Sequence, residues 1–262
     1  MRQLLTLILT GLIMTSTACA HNPAIQNEFK SFAAEMERKH RIPASETLPL
    51  LQESKFRDDI IAAISRPAEA KPWHQYRPIF LQPDRIRGGV EFWQKNEALL
   101  ESVSHEYGIP PEIIVAIIGV ETRYGKFTGR YRILDSLTTL AFGYPKRADF
   151  FRSELEQFLL LSREEKVDPR SATGSYAGAM GKPQFISSSY RRYAVDRDGD
   201  GLRDLWRNDA DIIASVANYF EAPTLYRRRH ETEHPAGRAV EKRVAPPGEH
   251  GHAGPRDARQ LD

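Results

Sequence analysis

Three stretches of the chain place reactive side chains at spacings that chemistry can use. Glu121 lies in Val120-Glu121-Thr122-Arg123-Tyr124-Gly125, directly after the apolar run Ile113-Ile114-Val115-Ala116-Ile117-Ile118-Gly119. A carboxyl held against apolar surroundings has its charged form disfavoured, keeps its proton to higher pH and can act as a general acid. A Glu at a helix C-terminus is more often simply solvated, so position alone does not assign that role. The second stretch is Gly174-Ser175-Tyr176-Ala177-Gly178-Ala179-Met180-Gly181-Lys182-Pro183-Gln184-Phe185. Its small residues permit close backbone approach, and Ser175 and Gln184 can hydrogen-bond a polar ligand. A packing turn would have the same composition.

The third stretch is Asp196-Arg197-Asp198-Gly199-Asp200-Gly201-Leu202-Arg203-Asp204-Leu205-Trp206. Acids at its first, third and fifth positions and Gly201 at the sixth follow an EF-hand calcium loop, and Leu202 at the seventh would offer its backbone carbonyl. The twelfth position should be a bidentate Glu and is Arg207, though Asp209 or Asp211 could complete the shell; the alternative is a solvated acidic turn. A closed oxygen cage of this kind is structural. A fourth pattern, His230-Glu231-Thr232-Glu233-His234, matches the H-E-x-x-H of zinc proteases. That chemistry needs a packed helix with both His on one face and a third ligand. Arg227-Arg228-Arg229 before it and Pro235 after it supply no apolar face, so the zinc reading is set aside.

Composition narrows the classes further. With 37 Lys+Arg against 35 Asp+Glu in 262 residues, nothing indicates a nucleic-acid partner. An apolar fraction of 40% excludes wholesale disorder, and one cysteine excludes a disulfide framework. Residues 1–20 read as a secretory signal, because Arg2 precedes an apolar run too short to span a bilayer. Cys19 follows that run in Ser16-Thr17-Ala18-Cys19, which resembles a bacterial lipobox and would make Cys19 the lipidated first residue. Ala18-Cys19-Ala20 also reads as an ordinary cleavage site. Either reading puts the chain outside the cytoplasm.

The elements that must position these residues are helical. Residues 21–108 form an N-terminal helical region, with Ile25, Phe29, Phe32 and Met36 at helical spacing and Ile60, Ile61 and Ile64 as another stripe. Pro67, Pro72, Pro78 and Pro83 predict a loop-rich passage carrying Trp73, Tyr76 and Phe80. A long helix should follow, with Val90, Trp93, Leu100, Val103 and Tyr107 on one face, ending at Gly108. Pro110-Pro111-Glu112 opens the next helix, which is apolar all round and should be buried. Helical patterns recur over 133–140, 149–161 and 211–220, and no run of alternating strands is evident. Residues 221–262 hold few large apolar groups and four of the eight His residues after position 229, which predicts a disordered tail.

Taken together, the motifs resemble the membrane-bound lytic murein transglycosylase B family of peptidoglycan-cleaving enzymes. The resemblance runs from about residue 24 to Phe220 and includes Trp73-His74-Gln75-Tyr76-Arg77, Ile118 to Gly125, Tyr144-Pro145-Lys146-Arg147-Ala148, Gly174 to Phe185 and Ser215-Val216-Ala217-Asn218-Tyr219-Phe220. It implies a mainly α fold: a lysozyme-like transglycosylase core over 109–220 with an EF-hand-like loop at 196–211. It implies that Glu121 is the catalytic acid/base that splits the β-1,4 bond between N-acetylmuramic acid and N-acetylglucosamine, leaving a 1,6-anhydro ring. Ser175, Gln184 and Tyr219 match positions lining the glycan groove, and Tyr76 matches another; Phe150 stands where a Tyr is common. Asp196, Asp198, Asp200, Leu202 and Asp211 match the ligands of a structural Ca2+ ion. No organic cofactor is implied. The expected partners are peptidoglycan strands and, through Cys19, a membrane; the expected place is the bacterial periplasm, at the outer membrane, as a monomer.

One departure stands out. Relatives continue for about a hundred residues past the Asn218-Tyr219-Phe220 segment, a size that on its own approaches a small domain. Nothing after Phe220 here resembles that stretch, so the chain reads as truncated at its C-terminus. A catalytically inactive peptidoglycan-binding remnant is the alternative to an active enzyme.

Overall fold

The computed structural model describes residues 23–66 and 72–221. The signal at 1–20 with Cys19, the tail beyond residue 221 and the H-E-x-x-H run at His230–His234 lie outside the described residues. Among the described residues no helix is long and apolar enough to cross a membrane.

The mainly α expectation holds. Around one apolar core stand α1 (Pro23–His40), α2 (Ala44–Glu53), α3 (Asp58–Ser65), α4 (Trp73–Phe80), α5 (Pro83–Lys95), α6 (Glu97–Tyr107), α7 (Pro111–Thr122), α8 (Ile133–Gly143), α9 (Ala148–Glu164), α10 (Ser187–Tyr193) and α11 (Asp209–Glu221). The centre is α8, in which every residue from Ile133 to Ala141 is buried. It pairs with α9 through a tight connection, the 3-10 turn Pro145–Arg147. Phe142 extends the core toward α1, meeting Phe29 edge-on at 4.8 Å and Phe32 at 6.0 Å.

A helix buried on every side must satisfy its polar side chains from its neighbours. Asp135 of α8 accepts the Lys55 N–H at 2.8 Å and the Arg132 Nε–H at 2.9 Å, and Thr139 accepts the Arg57 N–H at 3.2 Å. These bonds stitch the segment between α2 and α3 onto α8. The N-terminal helical region and the 109–220 region therefore share a core, which runs from Phe29 to Ala217 without interruption.

Four expectations are corrected. The long helix ending at Gly108 is two helices, α5 and α6, bent at Asn96 (φ −115°, ψ 18°). Asn96 is buried, and its Nδ2 donates to Phe92 O at 3.0 Å beside its own backbone N–H, which is shared between Phe92 O at 3.2 Å and Trp93 O at 3.0 Å. Val90 consequently faces solvent and does not share a face with Leu100 and Val103. The loop-rich passage contains the short helix α4, which begins just after Pro72 and tolerates Pro78 near its end because none of it is buried. Helix α7 is not buried all round: Ala116 and Val120 are exposed. Finally, a two-residue ladder exists, β1 (Tyr131–Arg132) antiparallel to β2 (Thr173–Gly174), with Tyr131 opposite Gly174.

This ladder anchors a curled segment, in which Met180 bridges both Gly174 and Phe185. Its approach to the 123–130 turn is extremely close. Gly129 has φ +99°, and a Cβ there would lie 2.0 Å from the Gly174 carbonyl carbon and oxygen. Both backbone conformation and space exclude any other residue. Gly129→Ala is therefore expected to lower stability by about 2 kcal/mol or more. Urea or thermal unfolding measures this, and a midpoint equal to that of the unsubstituted protein would contradict the close approach.

Candidate active site

Pro110 and Pro111 start α7, since Pro is accommodated where helical N–H groups are unpaired. The helix ends in three successive left-handed residues, Arg123 (φ 50°), Tyr124 (φ 60°) and Gly125 (φ 90°). Arg123 and Tyr124 return their N–H groups to Gly119 O and Ile118 O, each at 3.2 Å, which satisfies the last carbonyls of the helix. Tyr124 is held in this uncommon conformation by where its ring goes. It stacks on Phe92 at 5.6 Å and fills a cradle of Gly88, Gly89 and Gly119, so that a Cβ on Gly119 would sit 2.3 Å from the Tyr124 hydroxyl oxygen. Arg85 adds a cation at the helix C-terminus, with Nη1 donating to Gly119 O at 3.0 Å and Val120 O at 3.2 Å. Glu121 is thus presented from the last turn of a helix that is fixed on three sides.

The Glu121 side chain is open to solvent on one face, and among the described residues its carboxylate has no hydrogen-bond or ion-pair partner. Burial by the protein on its other side pushes the carboxyl above its ordinary range, with no charged neighbour opposing the shift. Such a group retains its proton where a free carboxylic acid has lost it.

The residues after Glu121 are interlocked with the Gly174–Phe185 run. Thr122 donates its hydroxyl to Lys182 O at 2.8 Å, and Gln184 Nε2 donates to Thr128 O at 3.2 Å and to Gly181 O at 2.9 Å. Gln184 has φ 53°, and its side-chain carbonyl is left over by those two donations. Ser175 Oγ accepts the Ala177 and Ala179 N–H groups at 3.3 and 3.0 Å, which leaves its hydroxyl proton to donate. Phe185 then meets Tyr219 of α11 with ring centroids 5.4 Å apart. Glu121, Ser175, Gln184 and Tyr219 are in this way gathered around one pair of locked segments.

Tyr76 lies on α4, linked to the end of α7 through Phe80 and Arg85. It is 40% exposed and packs on Phe80 at 5.0 Å; Phe80 in turn lies 5.2 Å from the Arg85 guanidinium that caps α7. Phe150 is covered by Arg147 at 4.2 Å. Two cavities lie away from Glu121, one between α2 and α9 beside Thr47 and Arg163, the other beside Tyr190, Arg203 and Trp206. Arg85, Thr122 and Tyr124 were not singled out as supports by sequence reading. The doublet Gly88-Gly89 inside a helical pattern is the signal that some side chain comes close there.

In the acidic loop, the carboxylates of Asp196, Asp198 and Asp211 come within 4.8 Å of one another. Gly199 and Gly201 turn the loop at positive φ, and Asp196 accepts both their N–H groups at 2.8 Å. Asp211 is wholly buried and accepts the N–H groups of Arg197 and Asp204, each at 2.8 Å. Burial raises its carboxyl, and the neighbouring charges of Asp198 and Asp196 raise it further. Three converging carboxylates, one of them buried, favour a hard divalent cation over mutual repulsion, so the donor set fits calcium. Asp209 plays no part: Lys95 and Lys182 hold it at 2.7 and 2.5 Å, and it is Asp211 that joins the cluster. Asp200 stands outside the three-carboxylate cluster and accepts the Leu202 N–H at 2.8 Å. Leu202 is half-buried beside it. The loop is tied to the end of α9 by Arg203, whose Nε donates to Glu165 at 2.7 Å.

Comparison with known proteins agrees with this architecture. The Transglycosylase SLT domain family matches residues 24–245, continuing past Phe220 beyond the described residues. Membrane-bound lytic murein transglycosylase B of Escherichia coli (strain K12) is 45% identical over 213 residues, 78% of this chain and 58% of that protein. The soluble lytic transglycosylase SltB1 of Pseudomonas aeruginosa is 53% identical with a TM-score of 0.72, covering 74% of this chain and 66% of that one. The Escherichia coli lytic transglycosylase Slt35 in complex with calcium is 46% identical with a TM-score of 0.71, over 77% of this chain and 63% of that one. The chain thus spans 58–66% of the length of these relatives. With the family match covering most of the sequence, and with the expected mainly α, lysozyme-like fold shared with solved transglycosylases, the chain belongs to the transglycosylase SLT domain family.

Proposed function

We propose that this chain is a lytic transglycosylase of peptidoglycan, with Glu121 as its single acid/base. The supporting observation is a carboxyl at the end of α7, raised by partial burial and without an acidic companion: the locked segments 122–130 and 174–185 beside it contain no Asp or Glu. Most glycosidases need two carboxylates, one to protonate and one to attack or to activate water. A lone acid suits intramolecular attack. Glu121 gives its proton to the glycosidic oxygen as the bond to muramoyl C1 breaks, and the N-acetyl group stabilises the positive charge that develops. The resulting carboxylate takes the proton of the C6 hydroxyl as O6 bonds to C1, closing a 1,6-anhydro ring and restoring the acid.

Ser175 and Gln184 hydrogen-bond the sugar, and Tyr219 and Tyr76 present aromatic faces to it. The loop holds Ca2+ through Asp196, Asp198 and Asp211, with Asp200 and the Leu202 carbonyl as further donors; the ion braces the loop and takes no part in the reaction. The place of action is the bacterial cell envelope, with Cys19 as the lipid anchor.

Glu121→Gln should reduce release of 1,6-anhydro muropeptides from purified sacculi by roughly 100- to 10,000-fold, read by mass spectrometry. Products one water heavier would identify a hydrolase; no release by the unsubstituted chain, with sacculus binding retained, would identify a binding remnant. The raised carboxyl also predicts pH behaviour. Turnover should persist above the ordinary Glu pKa of about 4.3 and fall as pH rises through the shifted value. The folded state binds this proton more tightly than the unfolded chain, so across the same window stability falls with rising pH. Glu121→Gln should therefore melt no lower than the unsubstituted protein at neutral pH, and a clear drop would contradict the assignment. For the loop, a chelator should lower the melting temperature by several degrees, and Asp198→Asn should abolish that response. A melting curve indifferent to chelator would remove calcium from this account.

A further inference from the structure

Lys182 touches the turn after Glu121 twice. Its carbonyl accepts the Thr122 hydroxyl at 2.8 Å, and its side-chain carbons lie 2.9–3.2 Å from where a Cβ on Gly125 would be. Its own N–H donates to Leu205 O at 2.8 Å. At the far end its ammonium pairs with Asp209 Oδ1 at 2.5 Å, and the two side chains are only 16% and 11% exposed. Asp209 stands in the first turn of α11, followed by buried residues from Asp211 to Ala217. It is also held by Lys95, which is 71% exposed, at 2.7 Å.

From these contacts we infer that Lys182 and Asp209 are positioning residues for Glu121, an ion pair that fastens the turn after the acid to the buried helix α11. The inference rests on the acid role proposed for Glu121. Three consecutive left-handed residues persist only where surrounding contacts over-determine them. Tyr124 and Arg85 secure the turn from the α5 side, whereas on the other side Thr122 and Gly125 both lean on Lys182. The lysine acts through geometry, since its ammonium pairs with Asp209 and its aliphatic stem lies against Gly125. Displacement of a reacting group by about 1 Å costs up to about 100-fold in rate, so the loss should fall on kcat and not on substrate binding.

Lys182→Met is the decisive variant, because it keeps the aliphatic stem over Gly125 and leaves Asp209 paired with Lys95. Lys182→Arg keeps the charge. With a soluble oligosaccharide of alternating N-acetylglucosamine and N-acetylmuramic acid, Lys182→Met should lower kcat about 10- to 100-fold and leave KM within about twofold. Lys182→Arg should stay within about threefold of the unsubstituted enzyme. Hydrogen exchange supplies a readout independent of activity. The Gly125 and Phe127 amides, bonded to Thr122 Oγ and Thr122 O at 3.0 Å each, should exchange faster in Lys182→Met while distant amides do not change. Should Lys182→Met not fold, Asp209→Asn breaks the same pair from α11 and should give the same kcat and exchange changes. Unchanged kcat with unchanged exchange overturns the inference. So does a rise in KM at constant kcat, or an equal kcat loss in Lys182→Arg. If the unsubstituted chain releases no product, the reaction assigned above fails, and exchange at Gly125 and Phe127 still decides whether Lys182 holds the turn.

Discussion

The surroundings of Glu121 depend on one close approach between two stretches of backbone, the turn from Arg123 to Arg130 and the run from Gly174 to Phe185. At Gly129 the Gly174 peptide occupies the space of a missing side chain. Packed helices stay about 8–10 Å apart along their axes, so helices alone cannot create such intimacy. The chain does it with glycines, and then secures the approach by the Thr122–Lys182 and Gln184–Thr128 hydrogen bonds. Because both segments are anchored by the β1–β2 ladder and by α8, the site inherits the rigidity of the core.

Two acids in this fold show how loss of solvation leads to different chemistry when the neighbours differ. Burial raises the carboxyls of both Glu121 and Asp211. Among the described residues Glu121 has no partner, so the response to lost solvation that costs least is to keep a proton. Asp211 accepts two backbone N–H groups, which favour its anion, and faces Asp196 and Asp198, whose negative charges oppose it. A proton relieves the first situation and a divalent cation the second. Neighbours, not the carboxyl itself, make the difference.

Where sequence reading departed from the structure, packing was the reason. Helices over 133–143, 148–164 and 209–221 fall close to the periodic patterns that announced them. Asn96 gave no warning of a bend, because its effect depends on its amide turning inward to Phe92 O. Helix α4 carries two prolines at or near its ends, and it survives Pro78 only because it lies on the surface. Helix α7 looked suited to complete burial, yet its Ala116 and Val120 face outward; an apolar helix beside an open site need not be enclosed. The glycine cradle around the Tyr124 ring was visible only as the unexplained pair Gly88-Gly89.

The sequence alone determined where Glu121 stands relative to the end of its helix, the order of the motifs, the mainly α character and the acid spacing of the loop. These follow from helical rise and turn chemistry, which act over a few neighbouring residues. Tertiary structure decided which acid is raised by burial without a partner and which joins the cluster. Asp211 completes the carboxylate triad because Asp209 is claimed by Lys182 and Lys95, partners 27 and 114 residues away. Solvation and charge pairing are set by whatever atoms the fold brings within a few ångströms, and no local pattern contains that information.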